Sequence, residues 1–389
     1  MNMNYRFFLK IFLVMFFFLG APFLSAVEFI LSGDEYIEIA VFNGHMNAVS
    51  SVSFSPDGKN IALGLSNGRV ELWGTEEKEL KCNFISNFGC IWPLIFSHDG
   101  NLMLLKSLSG NVKLCDVSGH EIKSCFSEYY PKQTSSVAFS PDGSLIAGGF
   151  LDGKVRLYNV AENKFVQETC AYGGVITSLA FSPSGVSVVI GCSNGVIVLW
   201  DIEKNIEYRL PVYAWCISSV AFSPDGMLIA VDYFDGKIRL WNIEKKEFVR
   251  EFGASAGDVV KATSIAFSPD GRLIASGYSN GIVKLWDIIE NKCRHEFSDH
   301  RDTITSIAFS PDGTRLAAAG GILIMWTDKF AINAMQKLRE TDKNSLFALA
   351  NCTHPRLGAE SPAQILYPDL LRWISEFFII TPWKEVFEK

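Results

Sequence analysis

Hydrophobic and polar positions alternate in short runs over most of the chain, and the runs return in a fixed order. A stretch such as Thr305-Ser306-Ile307-Ala308-Phe309 predicts a strand of small and β-branched residues closed by a large apolar one. The usual sequel is Ser-Pro-Asp-Gly, a tight hairpin turn with Pro fixing φ at its second position and Gly free to take the left-handed conformation. A second strand follows (Leu273 to Gly277 in one copy), then an Asn-Gly or Asp-Gly turn, which recurs at Asn67, Asp152, Asn194, Asp235 and Asn280. A third run ends in an aromatic, as Ile282 to Trp286 does. The charged, alternating stretch at 247–252 then predicts a fourth strand with one face in water.

The Phe before the first turn marks seven copies: Phe54, Phe96, Phe139, Phe181, Phe222, Phe267 and Phe309, spaced by 42, 43, 42, 41, 45 and 42 residues. Two copies vary the turn, with His98 in the second and Ser184 in the fourth. Four strands in a repeat of this length is the pattern of a propeller blade. Six fourth strands lie between neighbouring copies, and the seventh copy has none after Asp328. Residues 36–42 (YIEIAVF) can supply it from the other end. The predicted fold is therefore all-β, a seven-bladed propeller over 36–328 whose last blade is completed by 36–42. Closure of this kind removes two exposed sheet edges.

These repeats resemble the WD-repeat family. Leu199-Trp200-Asp201, Leu285-Trp286-Asp287 and Leu240-Trp241-Asn242 carry the likeness, together with Gly44-His45 ahead of the first copy. The resemblance implies a buried hydrogen-bonded set of His, Ser or Thr, Asp and Trp in each blade. Here the set is worn: Asn67 and Leu63 stand in the first blade, Cys115 and Tyr158 replace Trp in the second and third, and the sixth has no His. The seventh keeps His300 and Trp326 but has a shortened turn at Gly320-Gly321. Asn keeps an acceptor and loses the charge, so any relay from His to Trp is weakened. Stability is expected to rest on apolar packing between blades.

Both ends break the pattern. Arg6 and Lys10 precede an apolar run from Ile11 to Leu19, with Gly20, Pro22 and Ser25-Ala26 after it. This reads as a signal peptide over residues 1–26, or as an uncleaved signal-anchor through residues 7–26. After Asp328 the spacing turns helical, predicting a small C-terminal helical tail over 329–389 with helices at 330–339, 345–351 and beyond Pro368-Asp369. The stretch ILYPDLLRWISEFF (365–378) weakly resembles the first helix of an F-box, and Leu346 to Cys352 the opening of a SOCS box.

Charge and composition narrow the function. Loss of residues 1–26 takes the net charge from −7 to −9. With no Lys/Arg cluster, nucleic acid is not an expected partner. Nine cysteines include no Cys-x-x-Cys, so neither a metal site nor a disulfide framework is predicted, and no cofactor is expected. Gly253-Ala254-Ser255-Ala256-Gly257 matches a nucleophile elbow, but lies between blades rather than between a strand and a helix.

A rigid ring with variable loops predicts a non-catalytic scaffold for a protein or peptide. The candidate docking residues are those that depart from the repeat average at one end of the ring. They are Trp92 (where six copies have Ser or Thr), Tyr172, Trp215 and Phe234, with Lys132, Lys261 and Arg301 as charged neighbours. Export or membrane tethering is the expected location. A cytosolic ubiquitin-ligase-type adaptor using the tail is one alternative, and a propeller enzyme or small-ligand binder another.

Overall fold

The hairpin that opens each blade is held by its own side chains. Ser55 Oγ donates to Asp57 Oδ1 (2.5 Å) and accepts from the Asn60 amide (3.0 Å), while Gly58 N–H closes on Ser55 O (2.8 Å) at φ +68°. The same Ser-to-Asp bond recurs at Ser97, Ser140, Ser223, Ser268 and Ser310. The Asp of the motif is thus a turn former, and its carboxylate also accepts the amide two residues on, as Asp142 does from Ser144. In the fourth copy the Ser184 hydroxyl stands in for it, 3.1 Å from Ser182 Oγ.

A computed structural model describes residues 36–42, 48–86, 89–118, 122–125, 134–170, 174–210, 215–253 and 260–328. They form seven four-stranded antiparallel sheets. Blades 1 to 6 span 49–85, 91–125, 134–170, 176–210, 217–253 and 262–297, and blade 7 spans 306–328 together with 36–42. The strand Tyr36–Phe42 pairs antiparallel with Ile322–Asp328, Ile37 opposite Thr327 and Phe42 opposite Leu323. First strands of successive blades lie side by side in an unbroken cycle around the centre. The predicted signal segment, the helical tail, Gly44-His45, Lys132 and Tyr172 lie outside the described residues.

One apolar cluster fills each seam between blades. Val49, Val52 and Leu63 meet Ala317, Ala319 and Met325 where blade 7 joins blade 1, and comparable sets fill the other six seams. The fifth residue of the second strand keys each seam. It is Gly64, Gly149, Gly191, Gly277 or Ala319 in five blades, and Ile91, Ile176, Ile217, Ile304 or Val49 of the next blade packs over it. A Cβ on Gly191 would stand 2.7 Å from Ile217 Cγ2, so the bulk of one blade is matched by an absence of bulk in its neighbour. Two blades invert the rule: Lys106 and Asp232 occupy this position, and the residues facing them shrink to Thr134 and Ala262.

At the opposite end the opening turns form a collar. The Pro of each turn approaches the turn Gly of the next blade, to within 3.3–3.6 Å of where a Cβ would be, as Pro56 does at Gly100. The collar is interrupted at Gly143, because the preceding turn carries His98 instead of Pro.

The family's His-to-Trp relay is replaced by shorter bonds. Trp286 Nε1 donates to Ser276 Oγ (2.9 Å), Trp73 to Glu71 (2.9 Å), Trp200 to Asn205 (3.1 Å) and Trp326 to Asp299 (3.0 Å). The Asn and Asp of the second turn serve the turn itself: Asn67 accepts from the Arg69 amide and Asp235 from the Lys237 amide, each at 3.0 Å. Blades 3 and 5 add a buried Arg in the third strand. Arg156 bonds Asp152 and Glu168, and Arg239 pairs with Asp235 and Glu251, all within 3.1 Å. Carboxylates on both sides let these guanidinium groups be buried.

Candidate interaction face

Strand direction alternates within each blade, so the ring has two unlike ends. The Pro-Asp-Gly turns and the turns into the outer strands share the lower face. The Asn-Gly turns and the connections into the next blade share the upper face. Four of the five described candidate residues, Trp215, Phe234, Lys261 and Arg301, belong to connections or turns of the upper face, and Trp92 is the second residue of the first strand of blade 2, at its upper end.

Four of these positions carry large apolar or cationic groups in contact with water. Trp215 is 51% exposed ahead of the first strand of blade 5. Across that blade's second turn, the Lys261 ammonium stands 4.9 Å from the centre of the half-buried Phe234 ring. The Phe234 amide donates to Cys216 O (2.9 Å), which ties the turn to the residue following Trp215. Phe234 and Lys261 therefore form a cation–π pair at the blade 5/blade 6 seam, and Trp215 stands exposed one residue before the Cys216 carbonyl that holds the Phe234 turn. Arg301 is exposed in the connection into blade 7, beside Asp302.

Trp92 forms a separate patch. Its indole N–H crosses blade 1 to donate to Thr305 O of blade 7 (3.0 Å), and its ring is 37% exposed. Behind it the Lys106 ammonium donates to Trp92 O (3.2 Å) and Ser107 O (3.3 Å) and lies 5.7 Å from the ring centre. Burial draws the Lys106 pKa down to about 8, with the nearby Cys90 sulfur opposing. Leu108 and Leu151 cap the second turns of blades 2 and 3 and are 68% and 46% exposed.

The Ser and Thr found at the Trp92 position in the other six copies do not form an open polar rim. Ser50, Ser135, Thr177, Ser218, Thr263 and Thr305 each donate to the carbonyl of the facing second strand, at 2.9–3.2 Å. In five of them the hydroxyl spans a shift of register in the inner hairpin, such as that between Ile176 and Ser178. They are structural.

Two buried charges without an ion-pair partner among the described residues were not found from the repeat pattern. Lys106 is one. Asp232 is the other: fully buried, with neither carboxylate oxygen accepting a hydrogen bond among the described residues. Burial raises its pKa well above 3.8, and the adjacent Ser218 hydroxyl offsets only part of that rise. The signal for both was a charge where every other copy has Gly or Ala. Among the described residues no group of His, Cys, Asp and Glu could hold a metal ion.

Two family models match the chain. The WD domain, G-beta repeat model covers residues 37–74 and 163–201. The anaphase-promoting complex subunit 4 WD40 domain model covers 94–173, 208–262 and 253–312. Together they account for more than half of the sequence. Relatives include telomerase protein component 1 of Mus musculus, 28% identical over 114 residues, which is 29% of this chain and 4% of that protein. WD repeat-containing protein SL1-17 of Schistosoma mansoni is 27% identical over 118 residues, 30% of this chain and 38% of that one. WD repeat and SOCS box-containing protein 1 of Takifugu rubripes is 30% identical over 110 residues, 28% of this chain and 25% of that one. The matched segments thus span well under two thirds of each of these relatives.

Proposed function

The chain belongs to the WD-repeat family, and from that premise we propose that it is a non-catalytic scaffold whose upper face takes a protein or peptide partner. The observation that carries the reading is the set of Trp215, Phe234 and Lys261, an exposed aromatic and a cation–π pair held by a rigid seam. Aromatic and cationic side chains of this kind dominate the energetics of protein interfaces. Trp92, with Leu108 and Leu151 beyond it, offers a second apolar anchor.

The same proposal has the chain exported or tethered to a membrane. Its support is the sequence of Arg6, Lys10, the apolar run from Ile11 to Leu19 and the small residues up to Ala26. The intact mass of the protein from its native cells tests this. A chain starting at Val27 in an external fraction, or a full-length chain in membranes, supports it; a full-length soluble cytosolic chain contradicts it.

Affinity capture with three versions of the full chain tests the docking face. A Trp215→Ala/Lys261→Glu variant alters the upper face, and a Met227→Ser/Ile289→Ser variant alters exposed apolar residues of the lower face. The partner recovered with the wild type is expected to be lost from the first variant and retained by the second. Loss from the second alone would move the docking site to the lower face.

A further inference from the structure

The seam between blades 2 and 3 departs from the other six in several independent features, and together they describe a site. The key position of the second strand is Lys106, where five other blades have Gly or Ala; the facing residue is Thr134, where four blades have Ile. The first strand of blade 2 has Pro93 where blades 1, 4, 6 and 7 use a Ser hydroxyl to accept an amide of the next blade. The lower collar opens at the same seam, at His98.

At the upper end, this leaves Lys106 only 3% exposed, its ammonium held by two carbonyl oxygens. An ammonium has three N–H donors, and two neutral acceptors do not balance its charge. No carboxylate of the described residues pairs with it. The two buried Arg side chains show what this chain does elsewhere with a buried cation: Arg156 and Arg239 are each flanked by an Asp and a Glu. The nearby Cys90 sulfur offsets only part of the burial. Leaving a buried ion without a full counter-charge is costly, and the cost is recovered when an anion arrives. Trp92 covers the ammonium from the upper face, attached to blade 7 by one indole hydrogen bond and to Lys106 by its ring and carbonyl.

We propose that Lys106, beneath Trp92 at the upper end of the blade 2/blade 3 seam, is a carboxylate-binding subsite that receives an acidic side chain or the C-terminus of the docked peptide. This rests on the upper face being the docking face and adds the chemical class of what it recognises. The carboxylate takes the donor capacity that the two carbonyls leave, and Trp92 packs against the group that carries it. Binding holds the proton on Lys106 more tightly, because an opposite charge within a few ångströms favours the ammonium.

The test is an NMR titration of the full chain labelled with ¹³Cε-lysine, with the Lys106 signal assigned by its disappearance in Lys106→Met. N-acetylglycine is the probe and N-acetylglycinamide its uncharged twin. In the free chain Lys106 should titrate near the value of about 8 that its burial imposes. With N-acetylglycine at ~50 mM, a range suited to millimolar affinity, its pKa should rise by about one unit. The amide should leave it unmoved. Three outcomes would overturn the proposal: a Lys106 that titrates at the ordinary 10.5 in the free chain, one that moves equally with the amide, or one that ignores both probes. The titration uses no protein partner, so its failure leaves the docking face standing. Loss of docking with the titration intact would instead fault the choice of face.

Discussion

If blades are keyed by exchanging bulk across each seam, then bulk added to one side should be tolerated once it is removed from the other. Gly191 and Ile217 offer the cleanest test. A methyl group on Gly191 would lie 2.7 Å from Ile217 Cγ2 and 3.0 Å from Val220 Cγ1, yet 3.5 Å from Ile217 Cβ. Gly191→Ala alone should cost about 1–3 kcal/mol from overpacking, less any small gain from a stiffer unfolded chain. Ile217 is fully buried, so Ile217→Ala alone should cost about 2–5 kcal/mol by leaving a cavity. In the double variant the 2.7 Å clash is gone and the new methyl occupies part of the space. Its cost should fall below the sum of the two single costs by about 1–3 kcal/mol. Urea unfolding followed by tryptophan fluorescence measures all four corners of the cycle. Additivity within about 0.5 kcal/mol would refute the keyed seam, since that is how independent sites behave.

Three further outcomes follow from the same geometry. Asp232 has a raised pKa in the folded chain, so it holds its proton more tightly folded than unfolded; its contribution to stability is present below 3.8 and is lost as pH rises. Asp232→Asn should therefore stabilise the chain at pH 7, with the gain shrinking toward pH 4 in thermal melts; a gain that grows toward acid would contradict this. Asp99 and Asp142 have the opposite sign: hydrogen bonds from Ser97 and Ser140 hold them below 3.8, so they stabilise above that value and stop doing so as pH falls through their depressed pKa. Asp99→Asn/Asp142→Asn should flatten the acid limb of the stability profile and leave its alkaline limb unchanged. Ser268→Ala leaves the buried Leu273 amide without the hydroxyl that accepts it at 2.9 Å, and should cost about 1–3 kcal/mol in the same urea assay.

The architecture was legible because its punctuation is local. Ser-Pro-Asp-Gly and Asn-Gly specify hairpins from within the hairpin, so seven blades could be counted before any long-range contact was known. Closure by residues 36–42 could be inferred because a missing outer strand at one end matched a surplus strand at the other. The buried Trp residues were legible in position and not in partner, since Asn205 and Asp299 reach Trp200 and Trp326 from outside the repeat's aligned polar positions. The Ser and Thr found four residues before six of the Phe residues were legible as a repeated position and not in their partner; in five of them the bond to a strand carbonyl spans a register shift that alternation alone does not predict. Lys106 and Asp232 escaped notice for the opposite reason. Each is unremarkable within its own strand, and becomes informative only when the seven copies are superposed and the volume of the facing residue is compared.

The central claim is that partners dock on the upper face. Hydrogen–deuterium exchange of the full chain, with and without its captured partner, tests it most directly. The account predicts slowed exchange in the upper-end segments at 89–92, 108–111, 215–216, 234–236, 260–261 and 301–304, with no change in the Pro-Asp-Gly turns. Protection confined to those lower turns or to the outer strands would contradict it.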